Sequence, residues 1–221
     1  VKDGPGTWLV SGASAYAGGL TVKQGTLVVA GNNVSNGFGG ASSGAKSPVV
    51  GDASATASGT AALLLQQSGT IGRSFEVATL AAGRSQTAML GGYSTSGTAM
   101  FFNSGGIQIT LGRDVTLVAA GSGGSLGTAR FTNTWSTGTT GATPTVTIGA
   151  AGYEGTVVIE NYRLPDATAA LKVERGTAKL LVDDVVAYSK PVTVGSAGGP
   201  ATLDLYGSAL SQANLTFTGN G

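Results

Sequence analysis

The sequence predicts an all-β protein, a right-handed parallel β-helix (β-solenoid) of roughly nine to eleven coils. Three observations carry this expectation. Short apolar runs bounded by Gly, Ser, Asn or Pro recur along the whole chain. Helical periodicity is nearly absent, because few stretches of ten or more residues lack Gly or Pro. A unit made of strand, polar step, Gly-Thr and second strand occurs twice, at Leu20–Val29 and at Leu171–Leu180.

Taken in order, the expected strands are Thr7–Val10, Leu20–Val22, Thr26–Val29, Ala62–Leu65 and Ser74–Thr79. Next come Thr98–Phe102, Ile107–Leu111, Val115–Val118, Ala129–Thr132 and Val146–Ile148. Thr156–Glu160, Ala170–Val173, Ala178–Val182, Pro191–Val194, Thr202–Tyr206 and Leu215–Thr218 complete the set. Each is a short period-two or continuous apolar run between turn residues. Asp166–Val173 is ambiguous, since it could begin with a helical turn.

Such strands cannot bury an apolar face alone. Stacked at ~4.8 Å, each pairs with the strand above and below, and the inward Val, Leu and Ile form one core. Glycine supplies the positive φ that corners need. A looser element, an apolar strand followed by Ala-Gly, recurs at Gly31, Gly83, Gly121 and Gly152, with gaps of 52, 38 and 31 residues. Unequal gaps fit stacked core strands joined by loops of varying length, at ~20–25 residues per coil. Residues 1–221 are read as one β-helix segment, excised from or repeated within a longer surface protein.

Composition narrows the function. Only 10% of residues are charged, Gly is 38 of 221, and the net charge is +1. That balance gives no electrostatic reason to expect nucleic acid or an anionic membrane surface. No apolar run of 18 residues exists to insert as a membrane helix. Cysteine is absent, which excludes disulfides and thiolate metal sites and fits export of an unfolded chain. Histidine is absent too, removing the commonest acid/base catalyst and metal ligand. No cofactor or metal is expected.

The N-terminal segment carries a specific pattern. Gly4-Pro-Gly6-Thr7-Trp8-Leu9-Val10-Ser11-Gly12 is followed by Tyr16-Ala-Gly18-Gly19-Leu20-Thr21-Val22, then Gly25-Thr26-Leu27-Val28-Val29. This resembles the autotransporter-associated β-strand repeat, also called the passenger-associated repeat. Leu20 stands where that family usually has Thr. Gly176-Thr177 belongs to a partial second match over residues 170–181, and residues 213–221 resemble the lead-in to another copy. The resemblance implies a β-helix in the passenger of a secreted or surface protein of a Gram-negative-type bacterium, serving export and folding of a long chain. It implies structural roles for Gly4, Gly6, Thr7, Trp8, Gly18, Gly19, Gly25, Thr26, Leu27, Gly176 and Thr177. Trp8 is expected as a large anchor at a coil corner, and Gly18-Gly19 as a tight reversal.

Catalytic readings are weak. Residues 40–44 and 123–127 fit G-x-S-x-G, but composition produces this pattern, no helix follows, and no histidine could activate the serine. Asp183-Asp184 is the only carboxylate doublet, and adjacent strand residues diverge. Asp183, Asp184, Asp204, Glu160 and Arg163 would be the candidates for a polysaccharide lyase site. Trp135 sits beside a polar tract and is expected partly buried at a loop base rather than exposed to a sugar.

The expected function is therefore a structural module, a stalk, fibre or passenger segment that assembles end to end, without enzymatic activity. Leu215–Gly221 reads as the start of a further copy and Gly4–Trp8 as the continuation of an earlier one. Neighbouring repeats or subunits are the expected partners. The alternative is an adhesin that binds surface glycans or other cells through Gly31–Gly51 or Thr132–Thr143, with a lyase behind both.

Overall fold

The computed structural model describes residues 1–11, 19–30, 47–54, 58–66, 70–71, 74–101, 108–122, 124–132, 134–137, 143–160, 170–181, 190–195, 199–205 and 215–217. Among these there is no helix. The strands form three parallel sheets and one small antiparallel ribbon, Gly121–Ser122 with Ser125–Leu126.

The first face is a nine-stranded sheet: Thr7–Ser11, Gly25–Ala30, Ser58–Leu65, Ser85–Gly92, Val115–Val118, Thr145–Ile148, Ala170–Val173, Val192–Val194 and Leu215–Phe217, in that spatial order. The second has five strands: Thr21–Val22, Val49–Val50, Phe75–Val77, Gln108–Leu111 and Thr134–Thr137. The third has six: Thr70–Ile71, Thr98–Phe101, Thr128–Phe131, Thr156–Glu160, Gly176–Leu181 and Ala201–Asp204. From Phe75 to Glu160 the chain visits the five-, nine- and six-stranded faces in a fixed cycle, three times over. Each face keeps its strands in chain order. That topology is a parallel β-solenoid, as the sequence predicts.

Register explains why the stack is specific. Across the nine-stranded face the partners Trp8, Leu27, Leu63, Leu90, Leu117, Ile148, Val173, Val194 and Phe217 form one continuous column. The seven residues from Leu27 to Val194 are buried in a single core cluster. A one-residue slip at any rung would turn that column outward. Burying each such side chain contributes about 1.5–3 kcal/mol. On the six-stranded face Ala99, Ala129, Val157 and Ala178 stack inward in the same way. Thr98, Thr128, Thr156, Thr177 and Thr202 stack in the alternate register beside them, none of them buried.

Aromatic rings join two faces through the core. Phe101 and Phe131 stack with centroids 4.5 Å apart. Phe75 meets Phe101 edge-on at 5.7 Å, and Trp135 meets Phe131 at 5.9 Å.

Four expectations need correction. Trp8 is not at a corner: it lies within the first strand, at the end of the inward column, and is 51% exposed because only one rung covers it. Trp135 is not at a loop base: it is a buried strand residue opposite Ile109. Coils are less uniform than ~20–25 residues: register partners lie 19 residues apart from Thr7 to Thr26 and 36 apart from Thr26 to Ala62. Finally, Ser85–Gly92 is an eight-residue strand that the sequence pattern does not signal. Its Ala and Gly residues have low β propensity, and tertiary pairing with Ser58–Leu65 over eight partners overrides it.

Phe101→Ala removes one ring from between two others. The expected loss is about 3–5 kcal/mol, read as a lower urea midpoint by circular dichroism. A change under about 1 kcal/mol would contradict the packing described.

Candidate functional site

The residues singled out by the N-terminal motif build a corner. Thr21–Val22 ends the five-stranded face, Lys23-Gln24 is the step, and Gly25 opens a strand of the nine-stranded face. Gly25 has φ +79°, and a Cβ there would lie 2.3 Å from the Gly4 carbonyl oxygen and 2.5 Å from that of Gly6. The motif's glycines are thus packed directly on one another across two coils. The Thr26 N–H then donates to the Gly6 carbonyl at 3.1 Å. Lys2 closes the corner: its Nζ donates to the carbonyls of Gly4 at 2.6 Å and Gln24 at 3.0 Å. Thr7 and Trp8 pair with Thr26 and Leu27. Gly18 lies outside the described residues, and Gly19 adjoins buried Leu20.

Gly176-Thr177 repeats this construction one face further round. Gly176 has φ +69°, a Cβ there would lie 2.5 Å from the Gly155 carbonyl oxygen, and the Thr177 N–H donates to Gly155 at 3.1 Å. Yet it joins the nine- to the six-stranded face, whereas Gly25 joins the five- to the nine-stranded face. The two similar sequence units are the same corner and not the same position in the coil. Gly97-Thr98, Gly127-Thr128 and Gly155-Thr156 open strands of the six-stranded face likewise. The recurring Gly-Thr dipeptide is the sequence signal for this corner.

Further along the five-to-nine corner lies a buried polar cluster that no motif announces. Gln86 uses its whole carboxamide there. Its Nε2 donates to the carbonyls of Lys23 at 2.8 Å and Ser58 at 3.0 Å. Its Oε1 accepts from the Asp52 N–H at 3.0 Å and from Arg113 Nη2 at 2.8 Å. One side chain therefore ties successive corners from Lys23 to Arg113. Asp52 accepts from the Ser54 hydroxyl at 2.6 Å and N–H at 2.9 Å. These bonds hold its carboxyl below the usual carboxylate range, helped by Lys23 and Arg113 and opposed by burial. Arg113 is buried, and burial lowers its affinity for the proton while Asp52 opposes that. Its Nε and Nη1 have no hydrogen-bond partner among the described residues.

Beside this cluster is a cleft of about 430 Å³ lined by Leu80, Arg84, Ser85, Gln86, Gly112, Arg113, Asp114, Thr143 and Pro144.

Two of the five lyase candidates, Glu160 and Asp204, lie among the described residues. Glu160 is paired with Arg130 and Asp204 with Lys179, each on the six-stranded face. Asp183, Asp184 and Arg163 lie outside the described residues, as do residues 40–44 and Gly123. Among the described residues no three Asp or Glu gather as metal ligands would.

Fold and corner together define a parallel β-solenoid whose first turns are built from a glycine-packed repeat. Residues 1–29 match the family described as passenger-associated-transport-repeat, the repeat that the Gly-Thr-Trp and Gly-Thr-Leu motifs resemble. No curated protein and no solved structure matches the chain.

Gly25→Ala and Gly83→Ala separate crowding from backbone conformation. Gly83 also has positive φ, +71°, but open space around its Cβ position. Gly83→Ala should cost about 1–2 kcal/mol and Gly25→Ala about 3 kcal/mol or more, measured by urea unfolding. Equal losses would refute the close packing at Gly25.

Gln86→Leu leaves four polar groups without a partner and should cost about 2–4 kcal/mol. Asp52 gives a pH signature. Its folded pKa is lowered, so its stabilisation is present above the unfolded value of about 4 and is lost as pH falls through the folded value. Asp52→Asn should be less stable near neutrality and lose less on acidification. Parallel stability curves for the two proteins would contradict this.

Proposed function

We propose that this chain is a structural, non-catalytic module of a secreted or cell-surface protein of a Gram-negative-type bacterium. It serves as a stretch of stalk, fibre or autotransporter-type passenger. The observation that carries the reading is the transport repeat at residues 1–29, built into the first rungs of one in-register core column. A scaffold of this kind needs continuity rather than a reaction centre.

The partner is another coil of the same type. The strand Thr7–Ser11 is at the edge of the nine-stranded face, with Trp8 51% and Leu9 54% exposed. A parallel strand carrying an apolar residue opposite Trp8 would extend the sheet and the core. Such a coil comes from the same polypeptide or from a neighbouring subunit. The net charge of +1 offers no attraction for nucleic acid, and no helix among the described residues is long and apolar enough to cross a membrane. The reading includes no cofactor.

Electron micrographs of the intact parent protein should show an elongated rod or fibre containing this segment. Assays with polysaccharide, ester and nucleotide substrates should show no turnover. Release of unsaturated sugars from a uronic-acid polymer, abolished by Asp183→Asn or Asp184→Asn, would overturn the non-catalytic reading.

A further inference from the structure

Several charged side chains along this solenoid neutralise one another: Arg130 with Glu160, Arg175 with Glu154, Lys179 with Asp204. The cleft at the five-to-nine corner departs from that pattern. Around it Lys23, Arg84 and Arg113 stand against two carboxylates, Asp52 and Asp114. Arg84 is exposed and has no ion pair among the described residues. Arg113 is only 8% exposed, with two nitrogens that have no hydrogen-bond partner among the described residues. Asp114 is already engaged, since its Oδ1 accepts the Thr145 N–H at 2.7 Å.

We propose that this cleft binds an acidic sugar, with the sugar carboxylate held at Arg84 above the buried charge of Arg113. The two cations have distinct parts. Arg84 is within reach of solvent and pairs directly with the incoming carboxylate. Arg113 is enclosed, so it acts through its field, which burial leaves poorly screened by salt. A buried charge whose N–H groups are unsatisfied gains most from an anion nearby.

The rest of the lining selects a sugar over a bare anion. Ser85 and Thr143 carry hydroxyls, and Asp114 offers its second oxygen to ring hydroxyl donors. Half-buried Leu80 presents apolar surface for the C–H face of a ring, beside the buried Pro144. Asp114 also opposes a dianion such as phosphate, while tolerating a single carboxylate. A volume of about 430 Å³ lies within the range of roughly 300–1,000 Å³ for small-molecule sites and suits one or two sugar rings. This site is independent of the scaffold role: a stalk remains a stalk whether or not the cleft is filled.

The test is a titration of the whole chain, followed by backbone amide NMR, with digalacturonate, the neutral disaccharide cellobiose, and acetate. Digalacturonate should shift Arg84, Asp114 and Thr143 amides saturably, with weaker binding at high salt. Arg84→Gln, an exposed substitution that leaves the Gln86 cluster intact, should weaken it about threefold or more. Arg113→Gln should weaken it further if the variant folds. Equal binding of cellobiose or of acetate, shifts confined to other surfaces, or unchanged affinity in Arg84→Gln would each overturn the proposal.

Discussion

The structure depends on one constraint: every rung of the nine-stranded face must place its apolar residue directly over the last. The column from Trp8 to Val194 satisfies it across rungs whose sequence separation ranges from 19 to 36 residues. Loop length is therefore free while strand register is not. The core can be filled by Leu in four successive rungs, Leu27, Leu63, Leu90 and Leu117, and by Val in two others, Val173 and Val194. Side chains of similar volume at constant spacing stack without voids, and interior packing rewards that regularity.

Corners carry the rest of the specificity, by two different means. Where coils are tight, glycine lets one backbone rest on another, as Gly25 does on Gly4 and Gly6 and Gly176 on Gly155. At the corner that holds Asp52 and Arg113, side chains also do the work, and Gln86 supplies four hydrogen bonds across several coils. Burying a carboxamide is stabilising only when all its groups are satisfied, and here they are. Arg113 is the exception at the same corner, which is why its surroundings are chemically distinct from the self-neutralised faces.

Much of this was legible in the sequence. Sixteen strand expectations rested on β-branched and apolar runs between turn residues, and those at Val115–Val118, Thr156–Glu160 and Ala170–Val173 match the observed bounds. The misses have physical causes. Val49–Val50 is two residues long, too short for any periodicity, and is held by its neighbours in the stack. Ser85–Gly92 lacks strand propensity and is imposed by its partner. The motif suggests a corner for Trp8 because a local motif does not reveal which face of the coil a residue occupies. Gln86 and Arg113 carry no motif at all, since their meaning comes from corners brought together across 63 residues, as in the Gln86–Lys23 bond. The two similar units differ by one face because Gly-Thr encodes a bend and not an address.

In-register stacking is measured most directly by distance between rungs. Thr98 and Thr202 stand four rungs apart in the column of the six-stranded face that also holds Thr128, Thr156 and Thr177. The chain has no cysteine, so Thr98→Cys with Thr202→Cys places two spin labels and no others. Pulsed electron paramagnetic resonance should give one narrow distance distribution, set by a backbone separation of about 19 Å plus the label arms. A broad distribution, or one centred far beyond that span, would contradict the stacked column on which the account rests.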